Sequence, residues 1–318
     1  MGKKVLFWGR FDPGYSRNRV YISLFRELGW EVDFFFVKWF PKFGDVEACV
    51  RGLGRRPKPD LGWVPVCRQR DILAACRWAH RRGVKVLFDP MISAWDKKVL
   101  EQCKWKAEER RARRLHARET RMMNEPDLVT WDTSCHLDFC AEQFGVPRER
   151  MRVLLTGTDE AVFTPQPPPP DDGEGKFRVL YHGAYLPLHG TEVIVEAARR
   201  TQDLPIRWDF LGWGAYKAST EAKAARVIGN KVYECMACCR PTINEFCTGY
   251  PPEAKDCPAI KFIPAGDPDA LVQAVEAYRA DWGRRDAYFA AARAFFEKHL
   301  SMQVIKGQLA DILADMGL

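Results

Sequence analysis

A chain of 318 residues, 47% hydrophobic and 12% aromatic, can fill two cores and reads as a globular protein in water. No apolar run reaches the roughly 18–20 residues of a membrane span, Met1-Gly2-Lys3-Lys4 lacks a signal-peptide pattern, and eleven scattered cysteines suit reduced thiols, so the cytoplasm is expected. Of the formal charge of +7, Lys97 to Arg121 carries a net +6 and only Trp105 interrupts it with a ring, which argues against a nucleic-acid binder.

Lys4 to Trp8 reads as a buried strand and Gly9 to Gly14 as a turn-rich loop. Arg17 to Leu28 has helical spacing through Val20, Leu24 and Leu28 and stops at Gly29, and Glu31 to Val37 is strand-like. The loop lacks the three-glycine spacing of a dinucleotide site, so its use is close approach to a ligand or to the other domain, with Gly14 at its end and Arg17 and Arg19 following at the helix start. Asp60 to Val66 is a second strand region and Asp71 to Arg82 a helix ended by Gly83. Val84 to Phe88 is a strand that delivers Asp89-Pro90-Met91-Ile92-Ser93-Ala94-Trp95-Asp96 to its carboxyl end, where open parallel sheets bind ligands. Asp89, Ser93 and Asp96 are therefore ligand-contact candidates; the plainer alternative is that Asp89 and Ser93 only form the turn before a basic helix. That helix over Lys97–Arg121 is either a solvated face with Glu/Arg pairs or a surface for anionic lipid or an acidic acceptor.

Asp127 to Trp131 is a strand, Asp132-Thr133-Ser134 its turn and cap, Ser134 to Phe144 a helix and Arg152 to Leu155 a strand. Pro165 to Gly175, with five prolines, three acids and two glycines, marks a domain boundary. Phe177 to His182 is then a strand, Gly183 to Gly190 a loop and Thr191 to Arg200 a helix, a sequence that makes a phosphate-sized pocket of backbone N–H groups. Pro205 to Gly212 is one more strand. Only Trp213 to Lys223 separates it from the next helical region, less than a doubly wound sheet of ~5–6 strands needs. From Lys231 a helix carries Val232, Cys235, Met236 and Cys239 on an apolar stripe with Glu234 off it, and feeds a strand from Pro241 to Asn244. Ile260 to Ile263 is a strand, and helices follow over Asp269 to Tyr278, Asp286 to Leu300 and Met302 to Met316.

Asn230-Lys231-Val232-Tyr233-Glu234, followed by Met236-Ala237-Cys238 and Arg240-Pro241-Thr242-Ile243, resembles the donor-binding signature of retaining GT-B glycosyltransferases of family four. Thr156-Gly157-Thr158-Asp159 with Phe163 and Pro165 is similar to that family's exit from its first domain, and Pro264-Ala265-Gly266-Asp267-Pro268 to a later helix start. The resemblance implies an α/β fold of two Rossmann-like domains (GT-B), the second abbreviated: residues 1–164 on the acceptor side, a linker at 165–175, a donor domain at 176–300 and a terminal helix at 301–318 that braces the first domain. It implies retaining transfer of a hexose from a nucleotide sugar to a carbohydrate or lipid-linked acceptor, with no metal or cofactor. Glu234 would hold the ribose; Gly183, His189, Asn230 and Lys231 would lie near the phosphates; Asp89, Ser93, Asp96 and His189 would serve the reacting sugar, and Gly14 and Arg17 the acceptor side. The chain departs from the pattern at Ala184 and His189, where many members have Arg and Lys, at Arg226 in place of an earlier Glu, and at Cys239 in place of a helix-ending Gly that often needs positive φ. Peripheral contact with the anionic inner face of the membrane through Lys97–Arg121 fits the charge, and no nucleic acid is expected. Two other readings stand beside this: a binding protein that kept the architecture and lost transfer, and a metal module built on Cys235, Cys238, Cys239, Cys247 and Cys257.

Overall fold

The structure, a computed structural model, describes residues 2–168, 175–183, 185, 189–212 and 230–318, with Asn230 described in its backbone alone. Ala184 and Arg226, two of the departures noted above, lie outside the described residues, as does the stretch 213–223. The chain forms two compact units, one running to Asp159 and completed by Met302–Leu318, the other Glu160–Ser301.

The first unit runs β1 (Lys4–Gly9), α1 (Ser16–Glu27), β2 (Glu31–Phe36), α2 (Gly44–Val50), β3 (Leu61–Val64), α3 (Ile72–His80), β4 (Lys85–Phe88), α4 (Ala94–Asp96), α5 (Arg110–Asn124), β5 (Leu128–Trp131), α6 (Ser134–Phe144) and β6 (Met151–Val153). The six strands form one parallel sheet in the order β2-β1-β3-β4-β5-β6. Because alternate residues of a strand point to opposite faces, both faces must be apolar where helices cover both. Val5 and Phe7 of β1 and Leu87 of β4 join one core with Val20, Leu24 and Phe25 of α1. Leu6, Trp8, Val86 and Phe88 join the other, with residues of α2, α3, α5 and α6. The final helix α11 (Met302–Asp315) lies on the α1 side, burying Ile305, Leu309, Ile312 and Leu313. Gly157 (φ +74°) fits beneath it: a Cβ there would stand 2.7 Å from Ile305 Cδ1.

The single basic helix expected over Lys97–Arg121 is corrected to two pieces. A π-turn, Lys97–Glu101, ends at once, the N–H groups of Lys104 and Trp105 bond back to the Lys98 carbonyl at 2.9 and 3.2 Å, and Cys103 takes φ +46°. The Glu109 carboxylate then accepts the Lys106 N–H at 2.8 Å before α5 begins.

The second unit holds β7 (Phe177–His182), α7 (Thr191–Arg200), β8 (Ile206–Leu211), α8 (Asn230–Ala237), β9 (Thr242–Glu245), β10 (Ile260–Ile263), α9 (Pro268–Ala280) and α10 (Arg285–His299). Among the described residues its strands form two parallel pairs, β7 with β8 and β10 with β9. Ala197, Ile206, Leu271 and Val275 make a core between α7 and α9. α8 ends in a Schellman motif: Arg240 N–H reaches the Cys235 carbonyl at 2.8 Å and Cys239 N–H that of Met236 at 3.0 Å, with Cys239 at φ +59°. The position flagged in the sequence as wanting glycine does adopt the left-handed conformation.

Candidate functional site

In the second unit the carboxyl ends of β7 and β8 meet backbone to backbone. Gly183 donates its N–H to the Leu211 carbonyl at 2.9 Å and takes φ +135°, and a Cβ on Gly212 would fall 1.8 Å from the Gly183 oxygen. Neither position admits a side chain without displacement. The first turn of α8 lies against this junction: Lys231 runs its stem over Gly183, where a Cβ would stand 2.2 Å from Lys231 Cε. Gly183, Lys231 and Glu234, three residues assigned to a donor from the sequence, are thus in one place.

Their charges are held unusually. Burial pushes the Lys231 ammonium below its ordinary pKa, against the pull of Glu234 and Cys235, while burial raises the Glu234 carboxyl against the pull of Lys231. Among the described residues Lys231 makes no ion pair or hydrogen bond; its ammonium lies 6.0 Å from the Tyr181 ring centroid. The sequence reading missed His182, the last residue of β7, whose Nδ1 lies 3.6 Å from Glu234 Oε2 and whose Nε2 lies 3.5 Å from Cys235 Sγ. Burial and the nearby Lys231 charge lower its pKa, so at neutral pH the imidazole is uncharged and its contact with Glu234 is not an ion pair. His189 joins at the edge, its Nδ1 3.5 Å from the Tyr181 hydroxyl. Asn230 opens α8, but its side chain lies outside the described residues. The arrangement offers a desolvated cation, a neutral imidazole and a carboxylate beside a glycine-lined strand end, which suits an anion carrying hydroxyl groups.

In the first unit the predicted residues are tied mainly to one another. Arg17 and Asp89, both fully buried, form a two-pronged pair at 2.8 and 2.8 Å, and Arg17 also donates to Thr156 Oγ1 at 3.0 Å and to the Leu154 carbonyl at 3.1 Å. The pair is closed to solvent, and Asp89 raises the pKa of the Arg17 guanidinium against its burial. Ser93 caps α4 by accepting the Asp96 N–H at 3.0 Å and donates to buried Glu119 at 2.7 Å. Asp89, Ser93 and Arg17 therefore build the carboxyl edge of the sheet, and neither Asp89 nor Arg17 has free surface for a ligand. Gly14 is exposed, its N–H donated to Asp12 Oδ1 at 2.8 Å, and Asp96 is half-buried.

The cysteines do not converge. Among the described residues no three His, Cys, Asp or Glu side chains gather as a metal site, and burial holds the Cys235 thiol protonated with its pKa pushed up to about 12.

No family model and no curated protein matches the sequence. Solved structures do resemble it. HepE from Anabaena, crystallised with UDP and glucose, superposes with a TM-score of 0.69 over 98% of this chain and 99% of its own, at 13% identity. Sucrose-phosphate synthase from Thermosynechococcus elongatus gives 0.72 over 99% of both chains at 15% identity. A glycosyltransferase from Rickettsia africae gives 0.66 over 98% and 97% at 12% identity. The fold is GT-B. Within that fold the six-stranded unit and the unit carrying Lys231 and Glu234 are its two Rossmann-like domains.

Proposed function

We propose that this GT-B protein is a retaining hexosyltransferase that takes its sugar from a nucleotide-diphosphate donor held in the second unit. The observation that carries this reading is Lys231, a half-buried ammonium in no ion pair or hydrogen bond among the described residues, laid across Gly183 with Glu234 on the same helical turn. An ammonium held below its normal pKa by burial gains most from an incoming polyanion, and a diphosphate beside Gly183 would supply it. Glu234, on the same turn as Lys231, would accept hydrogen bonds from the ribose hydroxyls. The bond from the sugar's anomeric carbon to the diphosphate breaks, the acceptor oxygen bonds that carbon, and the acceptor's proton leaves with the diphosphate; positioning and charge stabilisation supply the rate, without a protein nucleophile or a metal. UDP-glucose, with which HepE has been crystallised, is the first donor to test. A carbohydrate or lipid-linked acceptor in the cytoplasm, at the inner face of the membrane, completes the proposal.

Calorimetric titration with UDP, GDP and ADP, beside Glu234→Ala, tests the site. Binding of one nucleotide, weakened tenfold or more in the variant (about 1.4 kcal/mol), supports it. Absence of binding at millimolar concentration overturns it in favour of a binding protein that lacks transfer. With an acceptor in hand, NMR of the product's anomeric proton decides retention.

A further inference from the structure

Among the described residues, thirteen large hydrophobic side chains are exposed, and six of them fall between positions 36 and 50: Phe36, Trp39, Phe40, Phe43, Val46 and Val50. Phe40 and Val50 are 70% and 68% exposed, so this is surface and not the rim of the core. The segment is built to hold them there. The buried Glu47 carboxylate accepts the N–H groups of Lys38 at 2.9 Å and Trp39 at 2.9 Å, and Arg10 donates to the Val37 carbonyl at 3.2 Å and to those of Lys38 and Trp39 at 2.5 Å each. The aromatic turn is clamped from both sides.

Charge is sorted in the same segment. Both of its acids face inward and are neutralised, Asp45 by Arg77 at 2.8 Å and Glu47 by Arg51 at 2.7 Å, and the pKa of each is lowered, Asp45 by its bond to Arg77 and Glu47, against its burial, by the Trp39 and Lys38 N–H groups. What faces outward with the rings is Lys38 and Lys42. α2 packs on the same side of the sheet as α5, where Arg110, Arg111, Arg113, Arg114, Arg118 and Arg121 are exposed and, among the described residues, only Arg111 has an acidic partner, Glu109. One side of this unit thus carries a rigid aromatic turn fringed by lysines and a separate row of arginines.

We propose that this side of the first unit docks on an anionic lipid bilayer, with Trp39, Phe40 and Phe43 entering the interface and Lys38 and Lys42 meeting the headgroups. Aromatic rings with flanking lysines suit the boundary between acyl chains and charged headgroups, and a bilayer supplies apolar depth and negative charge together. A second copy docked by the same surface would set one lysine-fringed patch against another of like charge. The proposal stands independently of the transferase reading.

The test is co-sedimentation of the full chain with vesicles of phosphatidylcholine alone and with about 30% phosphatidylglycerol. It is combined with quenching of tryptophan fluorescence by acyl-brominated lipid, since Trp39 is the exposed tryptophan among the described residues. The expected result is binding to the anionic vesicles only, with quenching that Trp39→Phe removes. Affinity should fall at least tenfold in Phe40→Ser with Phe43→Ser, and severalfold in Lys38→Gln with Lys42→Gln, at unchanged melting temperature. Failure to sediment with anionic vesicles overturns the proposal. So does sedimentation that neither double variant weakens, which would assign binding to the arginines alone, and so does a dimer in velocity sedimentation that the aromatic variants dissolve while vesicle binding persists.

Discussion

Asp89→Asn is the substitution that separates scaffold from ligand contact in the first unit. Asp89 gives both carboxylate oxygens to Arg17 at 2.8 and 2.8 Å, and neither side chain has any solvent exposure. The amide keeps the shape but removes the negative charge and turns one acceptor into a donor facing the guanidinium. The buried guanidinium loses its ion-pair partner and is left with the more distant Asp132 carboxylate. Removing one partner of a buried pair costs about 3–5 kcal/mol. At about 2–4 °C per kcal/mol for a unit of this size, melting of the first unit should fall by roughly 10 °C. Arg17→Met with Asp89→Leu removes both charges and should be the more stable of the two, because the groups left behind, the Thr130 and Thr156 hydroxyls and the Leu154 carbonyl, are neutral, and Leu154 already accepts from the Tyr21 hydroxyl at 3.4 Å. Fluorescence of the buried Trp63 and Trp131 follows the transition. If Asp89→Asn stayed within 1 kcal/mol of the parent while sugar transfer disappeared, Asp89 would be a ligand contact and the scaffold assignment would be wrong.

Three further outcomes are expected from the second unit. A bound nucleotide sugar, whose diphosphate carries no proton that titrates near neutral pH, should raise the pKa of His182, which burial and the Lys231 charge depress in the free protein, so binding takes up protons and tightens as pH falls toward the His182 pKa; calorimetry in buffers of different ionisation enthalpy reads the sign, and net proton release would refute the placement. Gly212→Ala should destabilise the second unit by about 1–3 kcal/mol and weaken nucleotide binding, because its Cβ would strike the Gly183 oxygen at 1.8 Å, whereas retention of parental melting and affinity would show that the strand ends yield freely. Cys239→Gly relieves a left-handed side chain at the end of α8 and should raise stability by up to about 1 kcal/mol in urea unfolding; a loss would show that the thiol's packing outweighs the strain.

The elements most legible in the sequence are those with local punctuation. α6 begins and ends where predicted because Thr133 accepts the His136 N–H and Gly145 takes φ +61°. α2 is hard to read because its amphipathicity is inverted: Asp45 and Glu47 are buried beside Gly44 and Ala48 while Val46 and Val50 are exposed, so hydrophobic spacing points the wrong way. The break in the basic helix is invisible in the sequence because it comes from Cys103 turning left-handed and the chain folding back on Lys98, which no local composition marks. Arg17 and Asp89 were read as ligand groups because a pair 72 positions apart is invisible until the sheet brings them together. Glu234 and Lys231 were legible as a pair on one helix start. His182 was not, since a histidine at the end of a strand looks like any other strand residue until α8 is laid against it.

That last residue bears on how a donor site with these substitutions could work. The pattern this chain resembles places Arg and Lys where Ala184 and His189 stand, so fixed positive charge from the glycine loop is reduced. What the described residues offer instead is Lys231, a cation that burial disfavours, and His182, which burial and Lys231 keep neutral. Neither is a permanent cation comparable to arginine. An arriving anion repays the desolvation of the Lys231 ammonium, and His182 adds charge when it gains a proton. A diphosphate would therefore be held by a desolvated cation and by an imidazole that charges in response to it, with Glu234 opposing them until a sugar hydroxyl occupies its oxygens. On this account His182→Ala should leave weak binding in place and flatten the rise in nucleotide-sugar affinity as pH falls toward the His182 pKa, while Lys231→Ala should remove most of the affinity at every pH. If His182→Ala kept the parental pH profile, the adaptive charge would have to come from elsewhere in the site.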